Sequence, residues 1–233
     1  MIRKTPLLLL PGLLCDGALW QAQMTALESV AEIEIADLTR DDSLPAMAQR
    51  VLAAAPPRFA LAGLSMGGYV AQEIMRQAPE RVSRLALLGS SARADTPEQT
   101  ARRRTLTELA RKDDIVAVPR LLWPFLVHPE RQDDRRLLDT LIIMAQRVGR
   151  DAFLRQEKAI IARPDGRADL ARIAVPSLVL CGREDHVTLL AWNEEMASLI
   201  PGAELEVIEH CGHLPTLEQP EEVNAALRRW LLA

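Results

Sequence analysis

The sequence predicts an α/β fold: a mostly parallel central sheet of about six strands, flanked by helices and interrupted by one helical insertion. Short apolar runs alternate with helix-period stretches over about the first 90 residues, the pattern of βαβ units. Strand signals then vanish over 93–168, where charged amphipathic stretches take over, and resume at Ser177. The chain has 233 residues, 48% hydrophobic and 26% charged, which suits one large domain with a sizeable core and excludes a disordered or collagen-like chain.

Residues 5–10 form a continuous apolar run ending at the breaker pair Pro11-Gly12, as expected of a strand buried on both faces. A weaker strand is expected over 33–36. Residues 44–55 read as a helix, with Ser43 as N-cap, Pro45 in the first turn and Pro56-Pro57 as its stop. Strands at 59–62 and 85–88 flank a helix at 66–77. Within the insertion, Leu137, Leu138, Leu141, Ile142, Ala145 and Val148 are spaced as one helix face. Pro119, Pro124, Pro129 and Pro164 are expected to divide the insertion into short helices, because proline lacks a donor and clashes within a helix. A strand at 177–181, a helix at 189–199, a strand at 204–208 and a helix at 221–232 complete the pattern.

Gly63-Leu64-Ser65-Met66-Gly67 matches G-x-S-x-G between an apolar strand and a helix. A sharp strand-to-helix turn would strain Ser65 and expose its hydroxyl, with the small neighbours Gly63, Gly67 and Gly68 giving the turn room. The five-residue pattern alone also fits a turn with a solvated serine. A serine nucleophile needs a base, and the base needs a third group to orient it. His213, in His210-Cys211-Gly212-His213, follows the last expected strand, and Asp185, in Gly182-Arg183-Glu184-Asp185, follows the one before. In a parallel sheet both loops emerge at the strand ends from which Ser65 projects.

With these motifs, and with Leu10-Pro11-Gly12 after the first strand, the sequence resembles the α/β-hydrolase superfamily over essentially its whole length. The family's chain order of nucleophile, acid and histidine gives Ser65, Asp185 and His213 as catalytic residues. Glu184 is the rival acid, ranked second because the family turn places the acid at the fourth position from its glycine. The resemblance further implies an oxyanion hole from the backbone N–H groups of Leu13 and Met66, and a core (1–92 and 169–233) bearing a helical cap (93–168) in a single domain. It implies no cofactor. Two departures stand out: the family often has His-Gly where Pro11-Gly12 stands, and few residues precede the first strand, so the sheet is expected to lack the family's N-terminal hairpin. The expected function is a cofactor-free serine hydrolase that cleaves a small carboxylic ester through an acyl-enzyme. Carbon-carbon cleavage or elimination with the same residues is the alternative, and a ligand-binding receptor a more distant one.

In the insertion, the apolar segment Leu121-Leu122-Trp123-Pro124-Phe125-Leu126 offers Trp123 and Phe125 as pocket-wall candidates, against the plainer reading of cap core packed away from substrate. Arg102-Arg103-Arg104 would attract an acidic substrate, although charged runs on helices are usually solvated faces. A zinc site from His186, His210, Cys211 and His213 lacks a recognised ligand spacing, so no metal is expected. Cys15, Cys181 and Cys211 are an odd set in a chain too large to need disulfides, so reduced thiols and a cytoplasmic setting follow; Cys15 and Cys211, beside the expected site, would confer sensitivity to thiol reagents. Met1-Ile2-Arg3-Lys4 followed by an apolar run resembles a short signal peptide, but Pro11-Gly12 interrupts the run, and cleavage there would remove the first strand and an oxyanion donor. No stretch reaches the roughly 18 apolar residues of a membrane span. A net charge of -4 and 3% aromatic residues leave neither a basic footprint nor stacking platforms for nucleic acid, so the expected partner is a small acyl substrate.

Overall fold

The computed structural model describes residues 4–112 and 114–233; Met1, Ile2 and Arg3 of the signal-like N-terminus lie outside the described residues. Strands β1 (Thr5–Leu10), β2 (Ala31–Ile35), β3 (Phe59–Leu64), β4 (Val82–Leu88), β5 (Ser177–Gly182) and β6 (Glu204–Ile208) form one sheet in the order β2-β1-β3-β4-β5-β6. Every pairing is parallel. Alternate residues of β1 serve opposite faces: Leu7 and Leu9 join one apolar cluster, Leu8 and Leu10 another. Such two-sided burial explains why the central strands read as unbroken apolar runs. At the edge, Glu32 and Glu34 of β2 face outward and break the run, which weakens its strand signal.

On one face pack α1 (Gln21–Leu27), α10 (Pro215–Glu218) and α11 (Pro220–Leu232), with Trp20, Leu27, Leu227 and Trp230 in their cluster. On the other lie α2 (Leu44–Ala54), α3 (Met66–Gln77) and α9 (Leu190–Leu199). The Ser43 hydroxyl accepts the Ala46 N–H at the start of α2, as an N-cap should. Between β4 and β5 come α4 (Pro97–Lys112), α5 (Ala117–Leu126), α6 (Arg135–Val148), α7 (Arg150–Ile161) and α8 (Arg167–Leu170), with no strand among the described residues. A third apolar cluster ties this segment to the sheet, joining Ala110, Val118, Ala145 and Phe153 to Leu14 from the loop after β1.

Two prolines behave differently from expectation. Pro119 and Pro124 both lie within α5 and do not divide it. Pro119 is in the first turn, where the missing N–H would have had no helical partner, whereas Pro124 lies inside the helix and forfeits the bond its N–H would have made to the Arg120 carbonyl.

The β1 to β2 connection runs one way across the sheet and β3 to β6 the other, so the strand order reverses between β1 and β3. At that reversal the loops leaving the strand ends diverge and open a crevice, the place where sheets of this type bind ligands.

Candidate active site

The loop after β1 and the turn after β3 meet at this crevice. Ser65 occupies the N-cap of α3 at φ 55°, ψ -114°, a left-handed region that L-residues avoid and that strained functional turns use. Surrounding hydrogen bonds hold the strain: Ser65 N–H donates to Leu88 O, while Ser65 O accepts from the N–H groups of Gly68 and Tyr69 and from the Ser90 hydroxyl at 3.0 Å. The glycines are needed for close approach: a Cβ on Gly63 would collide with the Gly67 carbonyl, and one on Gly67 with that of Leu10.

Across the crevice, His213 Nε2 lies 2.9 Å from Ser65 Oγ, and His213 Nδ1 lies 2.8 Å from Asp185 Oδ2. Ser65, His213 and Asp185 thus stand in one hydrogen-bonded line, although 148 and 28 residues separate the two pairs. The Asp185 Oδ1 accepts the N–H groups of Val187 (2.7 Å) and Thr188 (2.8 Å), and its Oδ2 accepts the Thr188 hydroxyl (2.7 Å). Burial alone would raise the carboxyl, but His213 and these donors outweigh it and hold Asp185 below the usual carboxylate value. Asp185 is therefore an ionised, fully partnered acceptor. Glu184, the rival acid, turns elsewhere: its carboxylate accepts the Cys211 N–H at 3.1 Å.

Each backbone N–H around the histidine has a defined partner. Gly212 and Leu214 donate to the buried Glu218 carboxylate, and His213 to Leu126 O. Glu218 also accepts the His128 N–H, tying the end of α5 to the histidine loop. In the loop after β1, the Leu14 N–H donates to Gln156 of α7 at 3.1 Å, whereas the Leu13 N–H has no partner among the described residues. Met66 is the first residue of α3, where the helix leaves the N–H unpaired. One free amide therefore follows each strand of the crevice, Leu13 after β1 and Met66, next to Ser65, after β3.

A cavity of about 380 Å³ opens over Ser65 and His213. Its walls are chiefly apolar, with Leu13, Leu106, Leu122, Leu126, Leu141 and Ile160 prominent. Phe125 lines it. Trp123 does not: it is buried among Val127, Leu137 and Met144, with its indole N–H donating to Gln132 O at 2.8 Å. Residue 123 lies about 100° round α5 from residue 122 and about 160° from residue 125, which face the cavity. Ser90, Thr188, Gln156 and Glu218 carry no sequence signal: Ser90 and Gln156 meet backbone groups far along the chain, while Thr188 and Glu218 meet nearby groups but belong to no recognised motif.

All three cysteines are buried and free. Burial pushes the Cys15 and Cys181 thiols up to about 12 and raises Cys211 further, so none carries an appreciable thiolate fraction at neutral pH. The expected thiol-reagent sensitivity finds no support in that chemistry. The four residues considered for zinc also do not converge: His213 is held by Ser65 and Asp185, and His210 instead approaches His128 and Glu130. In that trio the His128 Nδ1 already accepts the Glu130 N–H, which competes with any ion for the lone pair.

A family model described as "Alpha/beta hydrolase family" matches residues 7–226. The chain belongs to that family. Among similar curated proteins is the pimeloyl-[acyl-carrier protein] methyl ester esterase of Nitrosomonas europaea, 31% identical, with 93% of this chain and 91% of the relative covered. The Aliivibrio salmonicida protein of the same name is 26% identical over 97% of this chain and 91% of its own. Among solved structures, a thermophilic esterase from Thermogutta terrifontis, with malate bound, superposes with a TM-score of 0.88 at 28% identity, covering 97% of this chain and 89% of the other. The chain is accordingly an enzyme of the hydrolase fold. No helix among the described residues is long and apolar enough to cross a membrane.

Proposed function

We propose that this chain is a cofactor-free serine hydrolase of small carboxylic esters, acting through an acyl-enzyme on Ser65. The observation that carries the reading is the Ser65-His213-Asp185 line, with 2.9 and 2.8 Å links, at the wall of an apolar cavity. His213 Nε2 takes the hydroxyl proton as Ser65 Oγ attacks the ester carbonyl, and Asp185 holds the opposite N–H and stabilises the imidazolium. The Leu13 and Met66 amides donate to the developing oxyanion, each worth about 3 kcal/mol in comparable sites. Collapse of the tetrahedral intermediate passes the proton from His213 to the departing alcohol. Water, deprotonated by His213, then attacks the acyl-enzyme and releases the acid and free Ser65.

Residues 93–168 act in this reading as a cap on a single domain whose core is 1–92 and 169–233, and the buried thiols fit work in the cytoplasm. The relatives' names specify the methyl ester of a pimeloyl group on acyl-carrier protein, and an apolar cavity with a small alcohol leaving is the matching substrate class here. The test is turnover of short and medium p-nitrophenyl esters together with fluorophosphonate labelling, for wild type and Ser65→Ala. Labelling and turnover should both vanish in the variant. Unchanged turnover would refute the nucleophile, and labelling without any ester turnover would redirect the reading to carbon-carbon cleavage.

A further inference from the structure

The apolar cavity has one polar wall that ester cleavage at Ser65 does not use. It is built where α3, α4 and α7 converge, from Tyr69, Gln99, Arg102, Arg103 and Glu157. Arg103 is mostly buried. Its Nε donates to Asp95 at 2.7 Å and its Nη1 to Glu157 at 3.1 Å, and both carboxylates are essentially sealed from solvent. The third nitrogen, Nη2, has no partner among the described residues. Asp95 is shared with Arg163, which lies 2.7 Å away and stacks its guanidinium 4.3 Å over the Tyr69 ring. Tyr69 is itself 5% exposed, yet its hydroxyl has no hydrogen-bond partner among the described residues. A buried tyrosine hydroxyl normally finds a partner, so this one has its donor to spare. Arg102 is exposed, lines the cavity and forms no ion pair among the described residues; the acid nearest along its helix is Glu98, one turn back.

The anions of this cluster are thus already engaged, while its donors are not. Asp95 is held between two arginines, and burial pushes the Glu157 carboxyl up despite the Arg103 contact, which lessens its repulsion of an incoming anion. Besides the buried Glu157 Oε1, which has no partner among the described residues, what remains unsatisfied is a guanidinium edge, a second guanidinium and a phenol, all donors.

We propose that this wall is a carboxylate-binding subsite, formed by Tyr69, Arg103 and Arg102, that selects esters whose acyl chain carries a second, free carboxylate. The inference rests on the ester-hydrolase reading above and narrows its substrate to half-esters of dicarboxylic acids. Tyr69 lies four residues, about one helical turn, beyond Ser65, so the subsite and the nucleophile share one cavity and one rigid helix. An acyl chain with its ester carbonyl at Ser65 and its far carboxylate on this wall would span the apolar lining between them. Arg103 is pre-positioned by its two ion pairs and loses little freedom on binding.

The test compares kcat/KM of the full-length enzyme for three series of matched chain length, four to eight carbons. These are monomethyl esters of α,ω-dicarboxylic acids, the methyl esters of the corresponding monocarboxylic acids, and the dimethyl esters, with p-nitrophenyl acetate as reference. Wild type should favour the half-ester over the plain methyl ester by about tenfold or more at its best chain length, the scale of one charge-assisted hydrogen bond. That ratio should fall several-fold in Arg102→Gln and in Tyr69→Phe, chiefly through KM. Because it is taken within each variant, a general loss of folded enzyme cancels. A wild-type ratio near one with p-nitrophenyl acetate still cleaved would overturn the subsite and leave the esterase reading standing. Dimethyl esters matching the half-esters would overturn recognition of a carboxylate. Failure to cleave any ester, the reference included, would overturn the hydrolase reading and the subsite with it.

Discussion

Replacing Asp185 with asparagine is the sharpest test of the hydrogen-bonded line, because the surrounding donors dictate how the new amide must sit. Two backbone N–H groups, from Val187 and Thr188, converge on Oδ1. The asparagine oxygen must take that position, since an NH₂ there would face two donors. The amide NH₂ then falls at Oδ2, 2.8 Å from His213 Nδ1. It donates to Nδ1, forces the imidazole proton onto Nε2, and leaves no lone pair toward Ser65 Oγ. To recover the productive tautomer the amide must flip and leave two buried N–H groups unpaired, at about 1–3 kcal/mol each. That total of about 2–6 kcal/mol corresponds to roughly 30-fold to 10⁴-fold in rate at 1.36 kcal/mol per decade.

Loss of the charge that stabilises the imidazolium adds to this, so the expected fall in kcat is about 10³ to 10⁴, comparable to the same change in serine proteases of unrelated fold. The assay is p-nitrophenyl ester hydrolysis, with thermal unfolding of each variant to verify the fold. Glu184→Gln serves as the control: it keeps an oxygen for the Cys211 N–H and should stay within about threefold of wild type, as for a hydrogen bond that is largely conserved. A loss below tenfold in Asp185→Asn, or a larger one in Glu184→Gln, would refute the assignment of the orienting acid.

Gln156→Leu should reduce kcat more than it changes KM and lower stability by about 2–4 kcal/mol, because it strands the buried Leu14 N–H and Leu38 O that the amide bridges; steady-state kinetics and urea unfolding check both. Gly67→Ala, whose methyl would overlap the Leu10 carbonyl, should destabilise by about 1–3 kcal/mol and abolish activity by opening the turn, and a fully active, equally stable variant would contradict the packing argument. The acids divide by sign. Asp185 is held below its unfolded value, so its contribution is present at neutral pH and fades as pH falls through its folded value, below about 4. Glu157 is raised, so its ionised form opposes folding above its unfolded value near 4.5, and that opposition is relieved as pH falls through the folded value. Urea unfolding from pH 3 to 7 should therefore show the stability gap between wild type and Asp185→Asn closing with acid, and Glu157→Gln should flatten the contribution of opposite sign.

What the sequence discloses is what depends on neighbours along the chain. The helix 66–77 and the strand 204–208 agree with the structure at both ends, because the first begins at a turn that only small residues permit and the second lies between a glycine turn and the histidine loop. The short helix α1 carries no comparable signal: its buried positions include Gln23, whose amide donates to Thr216 O, a partner 193 residues away. Trp123 and Phe125 show the same limit at the site. Both are large apolar residues of one helix, and only the packing of α5 against α6 sends the first into the core and the second to the cavity.

The reach of local pattern also explains why the residues of the candidate site were legible and their supports were not. Ser65, Asp185 and His213 each follow a parallel strand, and a parallel sheet gathers strand ends along one edge whatever the insertions between them. Ser90, Gln156 and Glu218 instead satisfy backbone groups that are orphaned only once the strained turn and the loops around it exist, and the Thr188 hydroxyl satisfies the buried Asp185 carboxylate. A buried N–H must find an acceptor, but many positions in the fold can present one, so the demand does not name its residue in advance. The Arg102-Arg103-Arg104 run adds the complementary case. Its solvated-face reading holds for Arg104, which lines only a shallow surface cleft, while Arg103 turns inward because Asp95 and Glu157 are there to meet it. A charged run therefore becomes part of a cavity wall when buried anions on a neighbouring element offset the desolvation of one member, and that condition is set by tertiary packing.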